Sequence, residues 1–316
     1  MYPKIIRKRK ISLNLENSIV VGPKRVGKSF LAFDLIKDID GVVYINFEDY
    51  KKEFQFENAK VVIFDNYDFS IPIPNIPTII LSRKDISIDG FKKIYLNGLD
   101  FEEFFSFEKL SVNNAFDKFL RFGNFPKIFN EEYFWWEYLK ESLELMDYDK
   151  DILKFFFSHI GEKLTLYQIF QIIKKEKKIS KDKFYSQVEE LLKDRVIFEV
   201  EKYNSPKSPK KFFSYNFAFK SILTPKKNLQ YTFENIVFLE LNKKLYYKDG
   251  LTFYDPKEDI GYLIMPFANE ESVKAKLKKI DDIKKVCIIT ISNSFEIKHK
   301  KFEVEVMPFI EWRFAE

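Results

Sequence analysis

Residues 22–29 read GPKRVGKS, preceded by the apolar run Ser18-Ile19-Val20-Val21 and followed by FLAFDLIKDI. A buried strand, a glycine-bounded loop and an amphipathic helix, in that order, form the context a G-x-x-x-x-G-K-[ST] loop requires. Gly22 and Gly27 let backbone N–H groups turn inward on a polyphosphate with no Cβ in the way. Lys28 is placed to reach the β- and γ-phosphates, and the Ser29 hydroxyl suits a Mg²⁺ ion. The helix N-terminus adds partial positive charge at the same point. The chain has only 9 Gly in 316 residues, so two at this spacing ahead of Lys-Ser are a strong signal. Gly22, Pro23, Lys24, Arg25, Val26, Gly27, Lys28, Ser29 and Phe30 are therefore the expected nucleotide-binding segment, with ATP and Mg²⁺ as cofactors.

Short apolar runs follow at Val42–Phe47, Val61–Phe64, Thr78–Leu81 and Ile94–Leu96, as expected of strands buried on both faces of a parallel sheet. Asp65 ends the second run and is the expected Mg²⁺ partner of Ser29. The next residue is Asn66, which cannot accept a proton, so a general-base contribution of about 10²–10⁴-fold should be missing. Asp68 substitutes only if its loop bends toward the phosphate. Ser82 and Arg83, at the end of the third run, stand where a γ-phosphate sensor would sit. Pro72, Pro74 and Pro77 exclude a helix between Asp65 and Thr78.

Other features bound the class. Length alone suggests about two domains. The 36 Phe and 17 Tyr are ample for cores. The single Cys287 excludes an internal disulfide framework and suits a reducing, cytoplasmic setting. No apolar stretch approaches ~18 residues, so no membrane partner is expected. The basic start, MYPKIIRKRK, lacks a signal-peptide core. A net charge of +5 permits nucleic-acid contact without demanding it.

The order of motifs resembles the prokaryotic, archaeal-type AAA+ ATPases that join a P-loop domain to a winged helix and a restriction-endonuclease-like domain. The resemblance is carried by GPKRVGKS, YINFED (44–49), VVIFDN (61–66), IILS (79–82), LNGLDFEEFFSF (96–107), FLRFGNFPKIF (119–129), FENIVFLEL (233–241) and VEVMPFIEW (304–312). It implies an α/β fold in four parts: a parallel-sheet P-loop core (1–99), a helical lid (100–149), a winged helix (150–225) and an α/β endonuclease-like domain (226–316). Departures include Asn66, the prolines after Asp65 and Asn124 in place of a glycine. No clear arginine finger is present; Arg83 and Arg121 are the only candidates.

In the lid, Phe101, Phe104, Phe105, Phe116, Phe119, Trp135, Trp136 and Leu139 are expected to form a core beneath a cover for the nucleotide cleft. From Asp151 the pattern reads helix, turn, helix, hairpin, with Thr165 and Ser180 as helix caps. Lys181 and Lys183 on the second helix, and Lys207, Lys210 and Lys211 around the hairpin turn, are the expected phosphate contacts of a DNA-binding wing. Double-stranded DNA or a protein is the expected partner. The resemblance places the nuclease Asp, Glu and Lys positions at Thr252, Met265 and Phe267, so no metal-dependent cleavage is expected. Asp255, Glu258 and Asp259 read as a turn.

The leading expectation is an ATP-binding switch with weak or absent hydrolysis. A slow ATPase motor using Asp68, and a protein-interaction scaffold without nucleotide function, are the alternatives.

Overall fold

The computed structural model describes residues 7–49, 56–129, 134–224 and 228–315. The first six residues of the basic start, and residues 130–133 of the expected lid, lie outside them. Five short strands come first: β1 (Ser18–Val21), β2 (Val42–Asn46), β3 (Val61–Asp65), β4 (Thr78–Ser82) and β5 (Lys92–Tyr95). Helix α1 (Lys28–Ile36) joins β1 to β2. The strands form an all-parallel sheet in the order β2-β3-β4-β1-β5. Strands β1, β3 and β4 are buried at every residue, which is why they read as unbroken apolar runs. Residues 66–77 hold no helix, as the prolines require.

The lid residues form α2 (Phe101–Phe107), α3 (Val112–Phe122), a 3₁₀ turn (Pro126–Phe129) and α4 (Trp135–Glu144). A capping box at Asp100 and Glu103 starts α2, and Ser111 caps α3. Helices α2 and α3 pack away from the cleft beside residues 24–30, whereas the 3₁₀ turn and α4 reach it through Lys127 and Tyr138. Phe101, Phe104, Phe116 and Phe119 are buried in one cluster with Phe233, Phe309 and Trp312, from the far end of the chain. The Phe116 and Phe309 rings stack at 4.8 Å. Leu139 is buried as expected, but Trp136 on the same helix is exposed.

Helices α5 (Lys150–Ser158), α6 (Leu166–Glu176) and α7 (Lys181–Lys193) follow, with strands β6 (Lys163–Leu164), β7 (Ile197–Lys202) and β8 (Lys210–Ser214) and the short helix α8 (Phe219–Leu223). Thr165 and Ser180 cap α6 and α7 through their side chains. The last part runs α9 (Leu229–Leu241), β9 (Tyr246–Tyr247), β10 (Phe253–Asp255), β11 (Ile260–Ile264), α10 (Glu270–Leu277), β12 (Lys285–Thr290), β13 (Glu303–Pro308) and α11 (Phe309–Ala315). Strands β6–β13 make one eight-stranded sheet in the order β13-β12-β11-β10-β9-β7-β8-β6. The sheet thus crosses the expected boundary near residue 225: β7 pairs in parallel with β9, Glu201 opposite Tyr246.

A buried ion pair clamps this junction. Lys211 of β8 meets Glu234 of α9 at 2.8 Å, both almost wholly buried. Asn235 on the same helix accepts from the Ser214 N–H and donates to its carbonyl, at 2.9 Å each. Removing one charge leaves the other buried and unpaired, so Lys211→Met should cost about 3–5 kcal/mol in urea unfolding. The double change Lys211→Met/Glu234→Leu should recover most of it. Equal losses in both variants would show that packing, not charge, holds the junction.

Candidate nucleotide-binding site

The fully buried β1 runs directly into Gly22, whose N–H donates to the Ser82 carbonyl at 3.1 Å. A Cβ on Gly22 would stand 2.3 Å from the Leu96 carbonyl oxygen beyond β5. Glycine is thus required here by the neighbouring chain, independently of any ligand. Gly27 has φ +99°, a left-handed geometry that favours glycine, and it is the N-cap of α1 with no side-chain cap. The first N–H groups of α1 therefore face the loop mouth with no capping side chain to accept them.

Lys28 folds back over its own loop. Its ammonium nitrogen donates to Gly22 O at 2.7 Å and to Pro23 O at 2.9 Å. Burial pushes its pKa down to about 7, against an opposing pull from Asp65. A neutral amine has two N–H groups, and these two carbonyls satisfy both. Across the mouth, Asp65 Oδ2 accepts from Ser29 Oγ at 2.8 Å and from the Tyr44 hydroxyl at 2.6 Å. Burial, and secondarily the bond to Asp65, raise the Tyr44 pKa. Ser29 and Asp65 are thus brought together from α1 and β3, two strands apart in the sheet. These oxygens fit Mg²⁺, which takes one or two protein ligands and fills its octahedron with phosphate and water.

The cleft beside them measures about 420 Å³. Lys24, Arg25, Gly27, Lys28, Ser29, Phe30, Asp65 and Asn66 line it, together with Tyr44, Asn46, Glu48, Arg83, Lys127 and Tyr138. Val26 is buried under the loop, and its carbonyl accepts from Arg9 Nη1 at 2.9 Å. Arg25 has φ +70°, lies 4.0 Å over the Tyr138 ring and pairs with Glu141 at 2.9 Å. Asn66 is also left-handed, with φ +56°, and its amide donates to Asn46 Oδ1 at 3.2 Å.

Of the expected residues, Gly22, Pro23 and Val26 in the loop do not line the cleft, and Ser82 and Asp68 fall outside it. Ser82 turns away and donates to Lys84 O at 2.7 Å; its neighbour Arg83 is the one that lines the wall, paired with Glu48 at 2.6 Å and Asp147 at 3.3 Å. Asp68 is exposed and accepts the Ser70 N–H at 2.9 Å in a local turn, because Asn66 and Phe69 take left-handed conformations that carry the loop away. Sequence reasoning passed over Tyr44 and Glu48. The signal for Tyr44 was its alternation with Asn46, which puts both on one face of β2.

The remaining candidates are elsewhere. Lys181, Lys183 and Lys207 are exposed. Lys210 is held between Glu199 at 2.9 Å and Glu201 at 2.8 Å, and Lys211 is buried against Glu234, so neither offers a charge to phosphate. Thr252 Oγ1 accepts the Ile264 N–H at 3.1 Å, Met265 is buried and Phe267 is 75% exposed. Asp255 and Glu258 both grip Lys243, at 2.7 and 3.0 Å.

Gly22→Ala should destabilise the protein without any ligand, by about 2–3 kcal/mol or more, since a backbone carbonyl cannot yield as a side chain can. Thermal unfolding of the unliganded variant checks this; an unchanged Tm would return the glycine to a purely ligand-facing role. Compared with known proteins, the chain matches no family model and no curated sequence.

Proposed function

We propose that this chain binds Mg²⁺-ATP as a nucleotide-dependent switch with little hydrolysis. The observation that carries the reading is the Ser29–Asp65 hydrogen bond at the mouth of a glycine loop whose Lys28 is buried and self-satisfied. The parallel order β2-β3-β4-β1-β5 puts that loop and Asp65 at the same, carboxyl-terminal edge of the sheet, where α/β folds bind ligands. This supports an AAA+-type core. The helix, turn, helix and hairpin of residues 150–214 support a winged helix, and α9–β13 an endonuclease-like unit without cleavage chemistry. DNA contact through Lys181, Lys183 and Lys207 belongs to the same proposal.

In this reading the amides at the start of α1 and the Lys28 ammonium hold the phosphates, and Ser29 and Asp65 hold the ion. The ion would supply neutralisation of phosphate charge. Tyr44, which donates to Asp65 Oδ2, would then share that oxygen with it. Asn66 can orient a water but cannot take its proton. A second reading, slow hydrolysis, rests on Glu48, a carboxylate on the cleft wall 2.6 Å from Arg83.

Millimolar Mg²⁺-ATP should raise the Tm of the wild type. Lys28→Ala, whose own unliganded Tm falls with the loss of two buried hydrogen bonds, should show no further shift with nucleotide. No shift in the wild type would leave the scaffold reading standing. Turnover should be near background and rise about 10²-fold in Asn66→Glu. Measurable wild-type turnover that Glu48→Gln removes would favour the second reading.

Binding should also take up a proton. Free Lys28 titrates at about 7 and is mostly neutral at pH 8, whereas bound phosphate favours the ammonium. Affinity should therefore fall as pH rises above 7, by up to about tenfold per unit. Calorimetry at pH 8 in buffers of different ionisation enthalpy should show uptake approaching one proton. Proton release on binding would contradict the assignment.

A further inference from the structure

A second cleft, of about 520 Å³, opens where the end of β5, the C-terminal ends of α7 and α9, and strands β7 and β9 meet. It is on the size scale of small-ligand sites. Arg195 lines it. Its left-handed backbone, φ +59°, belongs to the cap that ends α7. There the Arg195 N–H donates to the Leu192 carbonyl at 3.2 Å and the Val196 N–H to the Leu191 carbonyl at 2.9 Å. The side chain is the unusual part. Its guanidinium forms no ion pair or hydrogen bond with any described residue, and its buried Nε has no partner. It is instead flanked by aromatic faces, 4.8 Å from the Tyr95 ring centroid and 5.4 Å from that of Phe198.

The carboxylates nearby are already taken. Asp85, whose field reaches Arg195, is held by Lys93 at 2.5 Å and by the Tyr95 hydroxyl at 3.0 Å. Glu199 and Glu201 on the cleft wall share Lys210. Lys244, exposed on the same rim beside the Tyr246 ring, has no carboxylate within pairing distance among the described residues. Asn97 and Asn242 also line the cleft, and the Asn97 amide donates to Asn242 Oδ1 at 3.2 Å. The cap of α7 uses the Arg195 backbone N–H and does not involve its guanidinium.

We propose that this cleft is a second binding site, separate from the P-loop, for a phosphate ester carrying an aromatic base. Arg195 and Lys244 hold the phosphate, and the Tyr246 ring on the cleft wall supports the base. Desolvated arginine beside aromatic rings is the combination that binds nucleotide phosphate and stacks bases without reading sequence. The phosphate can come from a mononucleotide or from a single strand.

The test uses full-length Lys28→Ala protein, so that the P-loop contributes nothing, with thymidine monophosphate, thymidine and a labelled oligothymidylate as probes. Saturable binding of the monophosphate or the oligomer is expected, with thymidine at least tenfold weaker. Binding of the oligomer alone would assign the site to a strand; binding of both would admit a free nucleotide. Arg195→Gln should weaken binding at least tenfold and Arg195→Lys less. Lys244→Gln, an exposed change that leaves the fold alone, should weaken it severalfold by itself. No binding of either phosphate probe, equal binding of thymidine, or unchanged affinity in both Gln variants would overturn the proposal.

Discussion

The buried guanidinium of Arg9 ties the nucleotide loop to the rest of the molecule. Its Nε donates to Glu103 Oε1 at 2.8 Å, its Nη1 to Val26 O at 2.9 Å, and its Nη2 to the Asn97 and Gly98 carbonyls at 3.2 Å. One planar cation therefore fixes the underside of the P-loop, the exit of β5 and the first turn of α2. Glu103 is also the return half of the capping box that starts α2, so the helix and the loop share a carboxylate. Losing either partner would leave a buried charge unpaired, at a cost of about 3–5 kcal/mol.

From α2 the linkage continues outward. Glu102 on the same turn meets Arg313 of α11 at 2.7 Å, and Arg313 meets Glu240 of α9 at 2.8 Å. Glu240 in turn accepts the Phe101 N–H at 2.8 Å, and burial raises its pKa to about 8. The charged chain surrounds the Phe101–Phe116–Phe309 ring cluster, whose centroids lie 4.8–5.5 Å apart. The α2 and α3 segments of the expected lid are thus built into the core of the C-terminal part. If nucleotide moves anything, α4 and the α4–α5 connection are better placed, since Tyr138 and Arg83–Asp147 reach the cleft from there.

The division between what could be read in the sequence and what could not follows contact range. The β1–loop–α1 unit and the β3–Asp65 end are local patterns, and both stand as written in the sequence. The prolines at 72, 74 and 77 kept a helix out of that stretch for a reason carried by each residue alone. The caps at Thr165 and Ser180 are equally local. Arg9 was hidden because its partners lie 17 to 94 residues away, and in sequence it was one of several cations in a basic start. Lys210 and Lys211 looked like an exposed wing, yet strand alternation and the β7–β9 junction sent one to two glutamates and the other inside. Asp68 was one bend away from the cleft, and the left-handed turns at Asn66 and Phe69 made that bend in the other direction.

The candidate site satisfies itself. Lys28 donates to two carbonyls of its own loop, and one oxygen of Asp65 accepts from Ser29 and Tyr44. Under the proposed reading, a phosphate would compete with the first set of bonds and an ion with the second. Each exchange replaces a satisfied internal bond, so binding energy goes into rearrangement before it appears as affinity. A ligand can shift a conformational equilibrium only by its differential interaction with the two states. If the proposed nucleotide binds, a self-satisfied lysine and aspartate supply that difference. Asn66, which donates to Asn46 and cannot accept a proton, is consistent with the same proposal.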